Sequence, residues 1–223
     1  MTTVQLVAAT RHPVWKVRWD AVNELGLRED PDGIAALAER AIYDDNSHPR
    51  WRSLWAISAI DRQATEAIPE FISALEDMDP AVVRNAAIAL AFFHREEAGP
   101  ELLNGLEDPD SFLRWEAVFS LSNVGSDEVI AALLLRLDES VEPNTRVRSQ
   151  VALTLGDIGG PELVTPLLGT LKNDPEPGVR MRAVLSLRRI GGPAALEGLR
   201  AALAIEKDAT VRDALKNAIG DST

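Results

Sequence analysis

Arg114-Trp115-Glu116-Ala117-Val118-Phe119-Ser120-Leu121 decides how the rest of the chain is read, because its pattern recurs on both sides. Arg18-Trp19-Asp20-Ala21-Val22-Asn23-Glu24-Leu25 repeats it closely, and Arg50-Trp51-Arg52-Ser53-Leu54-Trp55-Ala56-Ile57 repeats it in type. Looser copies begin at Arg84, Arg148, Arg180 and Arg212. The steps between the seven arginines are 32, 34, 30, 34, 32 and 32 residues. A period this steady marks a solenoid, in which one small supersecondary unit stacks on the next. The expected architecture is one all-α domain spanning residues 1–223.

Each repeat reads as two helices. The first repeat has a short helix near Thr3 to Thr10 and a second from about Pro13 to Leu27, closing near Gly26. Pro at a helix start and Gly near its end is the usual asymmetry. Later first helices are expected at 33–43, 65–76, 100–106, 127–137, 161–171 and 193–204, and the second helices follow each repeated Arg. Asp-Pro, Gly-Pro and Gly-Gly-Pro breaks fall at matched places between them, as at Asp79-Pro80, Asp174-Pro175 and Gly191-Gly192-Pro193.

Counting from the repeated Arg sorts the second helix into faces. Three, four and seven places after it stand Ala21, Val22 and Leu25, then Ala117, Val118 and Leu121, then Val151, Ala152 and Leu155, with equivalents in the other repeats. These columns make one helical stripe, the expected core. Six places before the Arg stands an acid in five repeats, Asp44, Asp108, Glu142, Asp174 and Glu206. An acid at that place can bond the Arg across turns and between neighbouring repeats, so the ladder is read as structural.

Composition narrows the function. The chain has 23 Lys and Arg against 35 Asp and Glu, net -12, which argues against general nucleic-acid binding because phosphate neutralisation needs a basic stripe. Residues 1–112 carry 10 basic against 20 acidic side chains, and residues 113–223 carry 13 against 15, so the acidity is concentrated in the first half. With no cysteine there is no disulfide framework and no thiolate site. No long apolar run announces a membrane span or an export signal, and a cytoplasmic location is expected. His12, His48 and His94 are dispersed, so neither a metal site nor a cofactor is expected.

Val147-Arg148, Leu153, Leu155-Gly156, Ile158-Gly159-Gly160 and Pro161-Glu162-Leu163-Val164-Thr165-Pro166-Leu167-Leu168 resemble the short HEAT repeats first recognised in phycobilin lyases. Val179-Arg180, Ala183, Leu187 and Ile190-Gly191-Gly192 repeat the pattern. The resemblance covers nearly the whole chain and implies a right-handed α-solenoid of about seven HEAT-like helix pairs, the second helices lining its concave surface. It implies little about chemistry, since such folds serve scaffolds, lyases and other enzymes. The deoxyhypusine hydroxylases of this form carry His-Glu pairs, and this chain has no His-Glu dipeptide.

All five tryptophans fall in neighbouring columns: Trp15 three before its Arg, Trp19, Trp51 and Trp115 one after, and Trp55 five after, beside Phe119. That stripe is centred roughly 145° from the core stripe. Trp15, Trp19, Asp20, Trp51, Trp55, Trp115, Glu116 and Phe119 are therefore the candidate partner-binding residues, with Asp20 and Glu116 supplying negative potential. The expected function is a non-enzymatic protein-binding scaffold for a basic or apolar partner segment, including immunity-like neutralisation of a toxin. Packing of the tryptophans between repeats is the structural alternative. The resemblance adds another, a lyase acting on a bilin, with Arg52, Arg182 or Arg189 meeting the propionates.

Overall fold

The computed structural model describes residues 1–93 and 96–220, the side chains of Pro80 and Glu96 excepted. Among the described residues there are fourteen α-helices, three 3-10 segments and no strand, the all-α repeat fold expected from the sequence. The chain divides into two compact halves, Met1–Leu102 and Leu103–Thr223.

The first half contains α1 (Thr3–Ala9), α2 (Trp15–Leu27), α3 (Ile34–Tyr43), α4 (Ser47–Ile60), α5 (Ile68–Ala74) and α6 (Pro80–Phe92). Helix α7 (Gly99–Gly105) carries the chain into the second half, which continues with α8 (Ser111–Leu121), α9 (Asp127–Leu135), α10 (Thr145–Ile158), α11 (Val164–Asn173), α12 (Pro177–Ile190), α13 (Gly192–Ile205) and α14 (Ala209–Gly220). Even-numbered members are the second helices of the repeats. Helix α2 packs on α4 in the first half, and α10 packs on both α8 and α12 in the second.

Four of the second helices begin where a short polar side chain satisfies a first amide. Asn46, Asp79, Asp110 and Asn144 accept from the backbone two residues on, starting α4, α6, α8 and α10. Helices α10 and α12 stop at Gly159 and Gly191, whose φ values of 77° and 71° lie in the left-handed region that glycine enters without a Cβ penalty.

The core sits on the columns three, four and seven places after each Arg. Val22, Leu25, Ile57, Val118, Leu121, Val151, Leu155, Val184 and Leu187 are all completely enclosed. Lys216 in the last repeat is exposed, so the stripe loosens on α14. Close approach between successive second helices uses small residues. A Cβ at Gly26 would stand 2.7 Å from the Ala56 Cβ, and one at Gly156 would stand 2.4 Å from the Ser186 Cβ. Polar contacts fix the same register: Thr154 Oγ1 donates to the Val118 carbonyl at 3.0 Å, and Ser186 Oγ donates to the Ala152 carbonyl at 2.7 Å. Each hydroxyl lies six places after its Arg and reaches the carbonyl four places after the preceding one.

Candidate functional site

Four of the repeated arginines, Arg18, Arg114, Arg148 and Arg180, are committed to the fold. Arg148 is 1% exposed; its Nε donates to Asp174 Oδ2 at 2.9 Å and its Nη1 donates to the Glu142 carbonyl at 3.0 Å. Glu142 in turn closes on the preceding arginine, with Arg114 Nε and Nη2 at 2.7 and 2.8 Å from its two oxygens. Arg180 continues the series on Glu206, at 2.9 Å from both its Nε and its Nη2, and takes the Asp174 carbonyl through Nη1. In the first half Arg18 makes the same fork on Asp44, whose carbonyl accepts from Arg50.

One acid therefore serves two repeats: its carboxylate closes the previous arginine and its carbonyl anchors its own. The sequence pattern pointed to this acid without separating the two roles. Each carboxylate also accepts the amide two residues on, Asn46 for Asp44, Asn144 for Glu142, Glu176 for Asp174 and Asp208 for Glu206. Hydrogen bonds from Arg180 hold the Glu206 carboxyl down at about 2. At Glu142 desolvation pushes the carboxyl up, and bonds from Arg114 and the Asn144 amide outweigh it, leaving it below the ordinary range. Forks already closed by carboxylates are not available to an anionic polymer.

The tryptophan columns have the opposite character. In the first half Trp55 is 58% exposed and Trp15 40% exposed, while Trp19 and Trp51 are half-buried. Phe92 of α6 holds the two α4 indoles edge-on, with ring centroids 5.3 Å from Trp55 and 6.4 Å from Trp51. Trp15 lies 5.2 Å from the His48 ring. Asp20 beside Trp19 is exposed. This is an outward-facing aromatic surface in the half with 17 acidic and 10 basic side chains over residues 1–102.

The second half has its own aromatic group. Trp115 stacks between Phe112 and Phe119, at 6.2 and 5.6 Å with interplanar angles of 21° and 11°. Phe112 and Phe119 are exposed and Trp115 half-buried. Glu116 is 2% exposed and its register-mate Gln150 8%, so the potential expected from Glu116 beside Trp115 is enclosed rather than presented. Asp20 occupies the same column in α2 and faces solvent, because burial of that column differs from repeat to repeat.

Phe92, His48 and Phe112 belong to these surfaces although the sequence did not single them out. Phe92 lies on a different helix from the indoles it holds, and only packing of α6 brings it there. His48 and Phe112 both stand two places before their Arg.

A cavity of about 580 Å³ opens between α10 and α12, lined by Leu153, Asp157, Leu185, Ser186, Arg188 and Arg189. Arg189 pairs with Asp157 at its rim. Arg182 and Arg52 are half-buried. Among the described residues no group of three or more His, Asp or Glu is placed to hold a metal ion, and no helix is long and apolar enough to cross a membrane.

Comparisons with known proteins agree with this architecture. No curated protein matches the chain. Among solved structures, the complex of CpcE and CpcF of the phycocyanin lyase from Nostoc sp. is similar with a TM-score of 0.53 and 18% identity, covering 100% of this chain and 95% of that one. The Escherichia coli protein YibA is similar with a TM-score of 0.54 and 17% identity, covering 98% of this chain and 81% of that one. At these identities the likeness is one of fold. A family model of HEAT repeats matches residues 68–146 and 137–220. With its helix pairs, its arginine ladder and this match over more than half its length, the chain belongs to the HEAT-repeat family.

Proposed function

We propose that the protein is a protein-binding scaffold without a catalytic centre of its own, acting in the cytoplasm, and that its working surface is the aromatic face of the first half. The observation that carries this is the exposure of Trp55, 58% open to solvent and fixed in place by Phe92. A large rigid side chain held outward costs little further entropy on binding and offers a wide apolar face. Trp15, Trp19 and Trp51 extend the face, and Asp20 gives it a negative edge. The complementary partner is a protein segment with Arg or Lys among apolar residues, since aromatic faces attract such cations by about 0.5–2 kcal/mol each. A basic toxin held by an immunity-like protein is one partner of that chemistry. Phe112, Trp115 and Phe119 provide a second, smaller contact of the same kind.

The test is affinity capture from the native host with wild type and a Trp15→Ala, Trp55→Ala double variant. Loss of partners bearing basic segments supports the reading. Retention of every partner by a folded double variant refutes it.

The cavity between α10 and α12 favours a second reading, a ligand with an apolar body and carboxylate arms. Leu153 and Leu185 offer the apolar wall, and Arg189, which a ligand carboxylate would draw from its pair with Asp157, the cation. A bilin is such a ligand, and lyase-like handling of it would follow. Mixing the purified protein with a bilin and recording its absorption band tests this: a shifted band supports it, and an unshifted band removes it.

A further inference from the structure

We infer that Arg52 is an anion-binding point on the aromatic face of the first half, and that the bound protein segment sets an aspartate or glutamate on it. This deepens the reading of that face as the working surface and rests on it: the partner segment needs an acid beside its basic and apolar side chains. Arg52 stands four places after His48 and three before Trp55, spacings that bring side chains together on one helix. It is half-buried, and its Nε is enclosed without an acceptor. Nη1 and Nη2 likewise make no hydrogen bond or ion pair among the described residues. They are not enclosed, so the terminal edge of the guanidinium is what an incoming oxygen meets.

The elements packed on α4 supply Arg52 with no carboxylate. Helix α4 itself holds no Asp or Glu, and neither does α6. On α2, Glu24 is closed by Arg28 at 2.7 Å, and Asp20 makes no ion pair with Arg52. On α3, Glu39 is taken by Arg11 and Arg40, and Asp44 and Asp45 of the following turn both close on Arg18. The other arginine of α4, Arg50, donates to the Asp44 carbonyl. In a half with 17 acidic and 10 basic side chains over residues 1–102, Arg52 is thus a partly enclosed cation without a counter-charge, a cost that a bound anion relieves. The same net negative charge repels a polyanion, whereas a single carboxylate set among basic and apolar residues suits both the surroundings and Arg52. A planar guanidinium takes a carboxylate through two parallel N–H bonds, while the Trp55 indole meets the neighbouring apolar side chain.

The experiment titrates two synthetic peptides, acetyl-Lys-Leu-Glu-Leu-Lys-amide and its Gln counterpart, into the full chain. Binding is followed by tryptophan fluorescence and by the side-chain 15Nε–1Hε resonance of Arg52. The Glu peptide is expected to bind at least about tenfold more tightly than the Gln peptide and to move that resonance. This comparison on wild type needs no variant. In Arg52→Gln, with its helices checked by circular dichroism, the two peptides should bind alike, and Trp55→Ala should weaken both by the same factor. Equal binding of the two peptides to wild type, or a preference that survives Arg52→Gln, overturns the inference and leaves the aromatic face standing. Unchanged affinity of both peptides for Trp55→Ala overturns the aromatic face and the inference with it, as does absence of binding of either peptide at millimolar concentration. Inorganic phosphate that moves the Arg52 resonance at lower concentration than the Glu peptide would overturn the assignment to a protein carboxylate in favour of a phosphate ligand.

Discussion

Asp174 is shared between Arg148 and the following repeat: its carboxylate accepts Arg148 Nε at 2.9 Å, while its own carbonyl accepts Arg180 Nη1 at 3.0 Å. Both side chains of the pair are almost wholly enclosed, at 1% and 2% exposure. Removing one partner leaves a charge buried without its complement. Asp174→Asn or Arg148→Ala is therefore expected to cost about 3–5 kcal/mol in urea unfolding. A loss below about 1 kcal/mol in both would show that the rung contributes little.

Acid should loosen the second half in a defined window. The Glu206 carboxyl is held at about 2 in the folded chain by Arg180 and by the amides of Asp208 and Lys207, against an ordinary value of 4.5. A depressed carboxylate gives stability that is complete above its unfolded value and is lost as pH falls through its folded value. Stability should then decline from about pH 5 towards pH 2, and Glu206→Gln should flatten that decline. Chemical denaturation at stepped pH checks it, and the same slope in wild type and variant would contradict it.

Two glycines should respond in opposite directions to alanine. At Gly156 the new methyl would meet Ser186 Cβ at 2.4 Å and its Cα at 2.8 Å, forcing α10 and α12 apart. A loss of about 1–3 kcal/mol is expected from such overpacking. Gly169 lies within α11 with no atom within 4 Å of a Cβ, so alanine there should add about 0.4–1 kcal/mol. Thermal melting of both variants decides it.

Large-to-small changes separate the core stripe from the aromatic face. Leu121→Ala and Leu155→Ala remove completely buried side chains and should cost about 2–5 kcal/mol each. Trp55→Ala, at 58% exposure, should cost less than either. Equal losses at Trp55 and Leu155 in denaturant titrations would mean that the indole holds the fold.

The helix pairs were legible because the arginine period, the Asp-Pro and Gly-Gly-Pro breaks and the columns ending at Leu25, Leu121 and Leu155 all agree on one geometry. Helix ends shifted only slightly, as where α5 runs Ile68–Ala74 inside the expected 65–76. Side-chain environments outside the core stripe were less legible. A second helix is flanked on both sides, so its column alone does not say whether Glu116 or Asp20 meets water, and the two differ. The partnership of Trp55 with Phe92 depends on how α4 and α6 approach, which no spacing within one helix encodes.

The most direct measurement is the affinity of the captured partner for wild type and for Trp55→Ala, by calorimetry at low and at moderate salt. An anchoring indole predicts a loss of at least about 2 kcal/mol, near thirtyfold, with Asp20→Asn mainly slowing association at low salt. Unchanged affinity in a fully folded Trp55→Ala protein would contradict the assignment of the aromatic face as the binding surface.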